Sequence, residues 1–322
     1  MKAIGIKNGR GNADAFFIED NVPDPIASSG RILVAIKAFG LNRMDIMQRE
    51  DKYPYPLLPE SGKILGVEFS GLVEEVGPNC KSDVPKEYAE KISVSETMIM
   101  HIPDTMSFET AAGIPETYFT AIQAIHLVGG LEPGQSVLIH AGASGVGQAA
   151  IQVAKLGGAS KVIVTAGTDA KCDLCRSLGA DVAINYHTEN FADVVERETG
   201  GAGINLIIDL VGQNYWHANT ASAAKEGKIV LVAAMSGSII DGFDLRALLN
   251  KRLWVLATTL RTRDSTYQGK LRDKFVDVAL DNLRTGRMRI TVDKVFPWGD
   301  IAEAHKRMEA NTNAGKLICV VE

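Results

Sequence analysis

The chain has 322 residues, 46% of them hydrophobic and 23% charged, with a formal net charge of −5. That length accommodates two domains or one large one, and an acidic balance without a basic stripe argues against a nucleic-acid-binding surface. No apolar run approaches the roughly 18 residues of a membrane helix, the first ten residues lack a signal-peptide core, and four cysteines are too few for a disulfide framework. A cytoplasmic globular protein with no nucleic-acid or membrane partner is expected.

The first hundred residues look β-rich, with strand character at 31–37 and 71–76 and Pro, Gly and Asn between. From about Ser107 the texture changes. Residues 108–113 and 116–128 read as helices, Pro115 standing at a first-turn position where its missing N–H costs nothing.

Pro133-Gly134 then predicts a turn, and residues 136–149 read as a buried strand, a glycine turn and a helix start. Val137, Leu138 and Ile139 supply the strand, while Gly142, Gly145 and Gly147 let the backbone bend sharply and approach a pyrophosphate with no Cβ in the way. The helix behind them points free N–H groups at the anion. The spacing is G-x-x-G-x-G, not the commoner G-x-G-x-x-G, so the flanking strand and helix carry much of the assignment.

A second strand is predicted at 162–165. An NAD-selective site carries an acid about 20 residues beyond the glycines, on the ribose hydroxyls. Here that position falls at Ala166-Gly167, with Thr168 offering a hydroxyl and Lys171 a cation one turn later. A charge-assisted hydrogen bond to phosphate contributes about 1.5–3 kcal/mol, so NADPH is the expected cofactor. Asp169 opposes this if it turns inward, and Lys171 also reads as a solvated helix lysine.

Cys172 and Cys175 form a lone C-x-x-C with no second pair, and read as structural thiols. Further strands at 182–185, 206–210, 229–233 and 253–258 alternate with helix-length segments, the signature of a parallel doubly wound sheet. A helix at 271–283, a strand at 289–292, a helix at 301–308 and a strand at 316–321 follow. The cofactor unit thus stands inside a domain built from both ends of the chain.

Five separated blocks carry a resemblance over nearly the whole chain: Leu-Asn-Arg-Met-Asp-Ile-Met-Gln-Arg at 41–49, Ile-Pro-Glu-Thr at 114–117, the glycine block at 140–147, Gly-Ala-Gly-Ile-Asn-Leu-Ile-Ile-Asp at 201–209 and Ala-His-Lys-Arg-Met-Glu-Ala-Asn at 304–311. Together they resemble the medium-chain dehydrogenase/reductase superfamily and, within it, the zinc-free quinone oxidoreductases. The resemblance implies an α/β protein with a GroES-like β-barrel catalytic domain at 1–119 and 259–322 and a Rossmann doubly wound parallel-sheet cofactor domain at 120–258, the cofactor lying in the cleft between. It also implies that Asn42 and Tyr53 face the nicotinamide end, as the catalytic candidates, and that Ser144, Gly145, Val146 and Gly147 hold the pyrophosphate. Gly167, Thr168, Lys171 and Tyr186 are expected at the adenosine phosphate, with 233–236, Leu260, Asn313 and Lys316 completing the nicotinamide wall.

Zinc-dependent members of that superfamily use a Cys in the first domain and a His in a Gly-His-Glu block. This chain has Asn42 and Gly66-Val67-Glu68 there, and its six histidines, His101, His126, His140, His187, His217 and His305, lack zinc-ligand spacing. No metal is expected. Without a Lewis acid, alcohol oxidation is disfavoured and an electron-poor quinone becomes the natural hydride acceptor.

The expected activity is therefore NADPH-dependent, metal-free reduction of a quinone. The alternatives are reduction of activated C=C bonds in enones, enals or enoyl thioesters, and NADPH binding by a sensor or interaction protein. A homodimer formed through an edge strand such as 253–258 is expected from the resemblance. Compared with the family, the stretch 80–91 is short, which predicts a curtailed barrel hairpin or a missing loop.

Overall fold

The computed structural model describes residues 1–53, 64–80 and 90–322, so the expectation about the shortened hairpin falls largely on 81–89, outside the described residues. The chain divides into two compact units, Met1–Glu116 with Thr262–Glu322, and Thr117–Arg261.

The first unit opens with β1 (Ala3–Ile6) and β2 (Phe16–Glu19), paired antiparallel. β3 (Arg31–Gly40) is the spine of the larger sheet, and its alternate residues Ile32, Val34, Ile36 and Ala38 are buried, as a period of two requires. After α1 (Arg43–Arg49), β4 (Phe69–Val76) and β5 (Lys91–Ser95) both pair antiparallel with β3. α2 (Phe108–Ala112) is capped by Ser107, whose Oγ accepts from the Thr110 N–H.

α3 (Pro115–Ile122) leads into the second unit and runs on as a π-turn, Gln123–Val128. The alternation is then regular: β6 (Ser136–Ile139), α4 (Gly145–Leu156), β7 (Lys161–Ala166), α5 (Asp169–Ser177), β8 (Val182–Asn185), α6 (Phe191–Thr199), β9 (Ile204–Asp209), α7 (Trp216–Ser222), β10 (Ala223–Leu231), α8 (Arg246–Lys251) and β11 (Trp254–Ala257). The six strands pair parallel in the order β11-β10-β9-β6-β7-β8, the doubly wound order with its switch point between β6 and β9. Val162, Ile163 and Val164 are wholly buried in succession, as expected of a strand covered on both faces. Each such side chain contributes about 1.5–3 kcal/mol through burial.

The chain returns to the first unit through α9 (Ser265–Phe275), a π-turn at Val276–Leu280, and α10 (Asp281–Arg284). β12 (Val292–Pro297), α11 (Ile301–Glu309) and β13 (Lys316–Val320) complete it. One expectation needs correction: the strand placed at 289–292 begins at Val292, because pairing with β13 starts only at Val292 opposite Lys316. β13 then pairs antiparallel with β3, joining the two ends of the chain.

α1 and α11 are clamped by a fully buried arginine. The Arg49 guanidinium donates to the Gly11 carbonyl (3.0 Å), His305 Nδ1 (3.1 Å), Glu50 (3.1 Å) and Glu309 (2.5 Å). Because arginine only donates, Nδ1 accepts, which makes His305 the neutral tautomer protonated at Nε2. Burial first, and the neighbouring guanidinium second, push the imidazole down to about 3. Between that value and the ordinary 6.5 the unfolded chain binds a proton that the folded one refuses. Stability supplied by this group is therefore complete above pH 6.5 and falls as the pH drops toward 3. Equilibrium denaturation at pH 7 and pH 5 should show a loss of about 2 kcal/mol from this group. His305→Gln, which keeps an acceptor for Arg49, should remove that part of the pH dependence; an unchanged pH dependence in the variant would refute the assignment.

Candidate functional site

In the second unit, the turn between β6 and α4 is built by close backbone packing. Gly142 N–H donates to the Thr165 carbonyl at 2.8 Å and Ser144 N–H to the Ala141 carbonyl at 2.9 Å. Ala141 takes a left-handed conformation, φ 52°. A Cβ on Gly147 would stand 2.3 Å from the Ala141 carbonyl oxygen and 2.7 Å from the Gly142 Cα, so only glycine permits this approach. Ser144 Oγ caps α4 by accepting from Gly147 N–H at 3.0 Å. An α-helix leaves its first N–H groups without intrahelical acceptors, so Gly145 and Val146 offer their N–H groups beyond the helix end, where the dipole favours an anion.

At the ends of β7 and β8, Gly167, Thr168 and Tyr186 share one corner. The Tyr186 hydroxyl lies 2.7 Å from where a Gly167 Cβ would be, and Tyr186 N–H donates to the Ala166 carbonyl. Thr168 Oγ1 caps α5 by accepting from Lys171 N–H, which sets Lys171 in the first turn of that helix. Asp169 accepts from the Asn185 amide at 2.8 Å and is thereby held toward β8. Cys172 and Cys175 are buried in α5; burial raises both thiols, Cys175 to about 12, which keeps them protonated and unreactive.

A polar chain whose linkage is not evident from the sequence lies beneath this turn. His140, at the end of β6, is fully buried, and burial lowers its pKa against the opposing pull of Asp209. Asn219 donates to Asp209 Oδ2 at 3.0 Å, so its oxygen accepts from His140 Nε2 at 2.6 Å, and His140 Nδ1 accepts from Thr165 Oγ1 at 3.0 Å. Tyr215 hydrogen-bonds Thr165 in turn, with its phenol pushed up to about 12, chiefly by burial. Asp209 Oδ1 accepts from the Val211 and Gly212 N–H groups, fixing the turn after β9. An acid closing the apolar strand Ile-Ile-Asp was the available signal.

In the first unit, Asn42 precedes α1, and its N–H donates to Asp45 Oδ2 at 2.8 Å. Its side chain is bound from both ends: Nδ2 donates to Glu68 Oε1 at 2.8 Å, and Oδ1 accepts from Lys316 Nζ at 2.9 Å. Lys316, buried at the start of β13, also donates to the Leu41 carbonyl at 2.7 Å and to Glu68 Oε1. Glu68 Oε2 takes the Glu116 N–H at 2.9 Å. Lys316, expected in the nicotinamide wall, thus has its ammonium committed within the protein. Asn313 closes a turn by donating to the Gly315 carbonyl at 3.0 Å. Tyr53 is half-buried after α1, next to residues 54–63, which lie outside the described residues.

Residues 233–236 follow β10, where Ser236 Oγ donates to the Val211 carbonyl and accepts from Asn214 N–H. Leu260 follows β11. Among the described residues, no three His, Cys, Asp or Glu side chains are placed to hold a metal ion. The position expected to lack metal ligands contains a buried ammonium, which repels a divalent cation; these residues do not fit zinc.

Residues 145–276 match the family model for zinc-binding dehydrogenases, and residues 28–87 match the alcohol dehydrogenase GroES-like domain. The Bos taurus protein called quinone oxidoreductase-like protein 2 is 28% identical over 322 aligned positions, covering 94% of this chain and 88% of that one. The structure of Escherichia coli quinone oxidoreductase complexed with NADPH matches with a TM-score of 0.86 at 25% identity, over 99% of this chain and 100% of that one. The structure of an NAD-dependent alcohol dehydrogenase matches with a TM-score of 0.86 at 28% identity, over 100% of both chains. The fold is α/β, with a GroES-like domain and a Rossmann-like parallel-sheet domain.

Proposed function

We propose, for a chain that belongs to the medium-chain dehydrogenase/reductase superfamily, a cytoplasmic NADPH-dependent reductase that delivers a hydride to a quinone without a metal. The observation that carries this reading is the Lys316 ammonium bonded to Glu68 and Asn42. With a cation of the protein's own at that place, a metal-polarised alcohol is disfavoured, and an acceptor that needs no Lewis acid is favoured.

The glycine turn receives the pyrophosphate on the N–H groups of Gly145 and Val146, while Ser144 and Gly147 hold the turn in shape. Gly167, Thr168, Lys171 and Tyr186 receive the adenosine 2′-phosphate. No acid stands at the end of β7 to repel it, and Asp169 is drawn off by Asn185. The NADPH complex of the Escherichia coli relative supports the same choice of cofactor. NADPH, when bound, supplies the hydride. Asn42 and Tyr53 orient the reacting groups, with Asn313 and the backbone near Lys316 beside them, and the Tyr53 phenol or water returns the proton that completes the hydroquinone.

Steady-state assays with 1,2- and 1,4-quinones, an enone and an enoyl-CoA test this reading. The expected result is a kcat/KM at least about tenfold higher for a quinone, since positioning alone suffices for that acceptor; an enone or thioester preference overturns it. In the same assays, Lys171→Ala should raise KM for NADPH by about tenfold to a hundredfold and leave KM for NADH nearly unchanged.

We also propose a homodimer formed along β11. This strand ends the parallel sheet, and Trp254 and Val255 are 59% and 41% exposed on it, an arrangement that invites pairing with a second edge. Sedimentation velocity should give a dimer for the wild type and a monomer for Trp254→Glu; a monomeric wild type would refute the proposal.

A further inference from the structure

Asparagine alone is a poor director of chemistry, because a half-turn about its last side-chain bond exchanges donor for acceptor with little change in shape. Asn42 is different. Its oxygen faces the Lys316 ammonium and its nitrogen faces the Glu68 carboxylate. Turning the amide over would aim N–H groups at a cation and an oxygen at an anion, exchanging two charge-assisted hydrogen bonds for two repulsions.

The charges are themselves held. Lys316 is fixed by the Leu41 carbonyl and Glu68 by the Glu116 N–H, and both side chains are almost fully buried, so neither charge relaxes into water. The Asn42 backbone is pinned by Asp45. One Nδ2 hydrogen is left with no acceptor among the described residues. The residues that set this arrangement are 26, 248 and 274 positions apart in sequence.

We propose that Glu68 and Lys316 are positioning residues that lock the Asn42 carboxamide so that its outward amide position is a hydrogen-bond donor, selecting a carbonyl oxygen as the group it meets. The proposal rests on the reductase reading for its catalytic consequence. The lock itself is independent of the acceptor.

Two measurements test it. In protein labelled with 15N-asparagine, the Nδ2 pair lost in Asn42→Ala identifies the residue. The wild-type pair should have an order parameter near 0.85, falling below about 0.6 in Glu68→Gln. An averaged pair in the wild type, or an unchanged one in Glu68→Gln, overturns the lock.

The second measurement is a double-mutant cycle on single-turnover hydride transfer from NADPH to a 1,4-quinone. Asn42→Ala and Glu68→Gln should each slow the step by about tenfold to a hundredfold, and the double variant should be no slower than the slower single. Additive losses overturn the claim that Glu68 acts through Asn42. If Glu68→Gln does not fold, Glu68→Gln with Lys316→Met removes both charges together and enters both measurements in its place. A wild type that binds NADPH but reduces no quinone ends the quinone reading, and the NMR measurement still decides the lock.

Discussion

Gly147→Ala is expected to weaken NADPH binding by about a hundredfold, measured by calorimetric titration, while leaving the chain folded. The added Cβ would meet the Ala141 carbonyl oxygen at 2.3 Å and Gly142 backbone atoms at 2.7 and 2.8 Å. These are backbone atoms, and no side chain can swing away. Either the turn opens or α4 backs off, and in both cases the N–H groups of Gly145 and Val146 move from the place proposed for the pyrophosphate. Overpacking of this kind costs about 1–3 kcal/mol of stability, within the tolerance of an ordinary domain. Gly299→Ala is the control, because a Cβ there meets nothing within 4 Å. Wild-type affinity in Gly147→Ala would mean that the pyrophosphate does not sit on this turn.

Arg49→Ala should cost about 3–5 kcal/mol in equilibrium denaturation, the range for breaking a buried ion pair. The guanidinium has no exposed surface and serves acceptors from three regions of the chain: Gly11, Glu50 beside it, and His305 and Glu309 on α11. Gly11 N–H returns a bond to the Arg49 carbonyl at 3.0 Å, so the N-terminal segment is tied to α1 in both directions. Arg49→Lys keeps the charge without the planar fork and should recover only part of the loss. A change below about 1 kcal/mol in Arg49→Ala would show that the clamp contributes little beyond a surface pair.

The doubly wound sheet was legible because its strands are uninterrupted apolar runs, such as Val162-Ile163-Val164, separated by helices of crossover length. The β6–α4 turn was legible from its glycines. Its sharpest bend was not, because the left-handed residue is Ala141, an L-residue in a conformation that costs about 1–2 kcal/mol. Glu68 and Lys316 were each visible in the sequence, Glu68 only as part of a missing metal motif. Their pairing was invisible, since no local period links residues 248 positions apart. His140 was visible only as one of six histidines without zinc-ligand spacing, because its partners Thr165 and Asn219 come from β7 and α7. The late start of β12 has a similar origin: local alternation did not reveal where its parallel partner begins.

The antiparallel seam in which Ile318 faces Gly40 also has a consequence for synthesis. A ribosome working at roughly 5–20 residues per second takes on the order of tens of seconds to pass from one of these residues to the other. During that interval the strands of the parallel sheet are all made, while the Ala38–Gly40 end of β3, beyond the stretch that β5 covers, waits for β13 with its backbone groups unpaired on that side. The first unit is thus the first begun and the last finished.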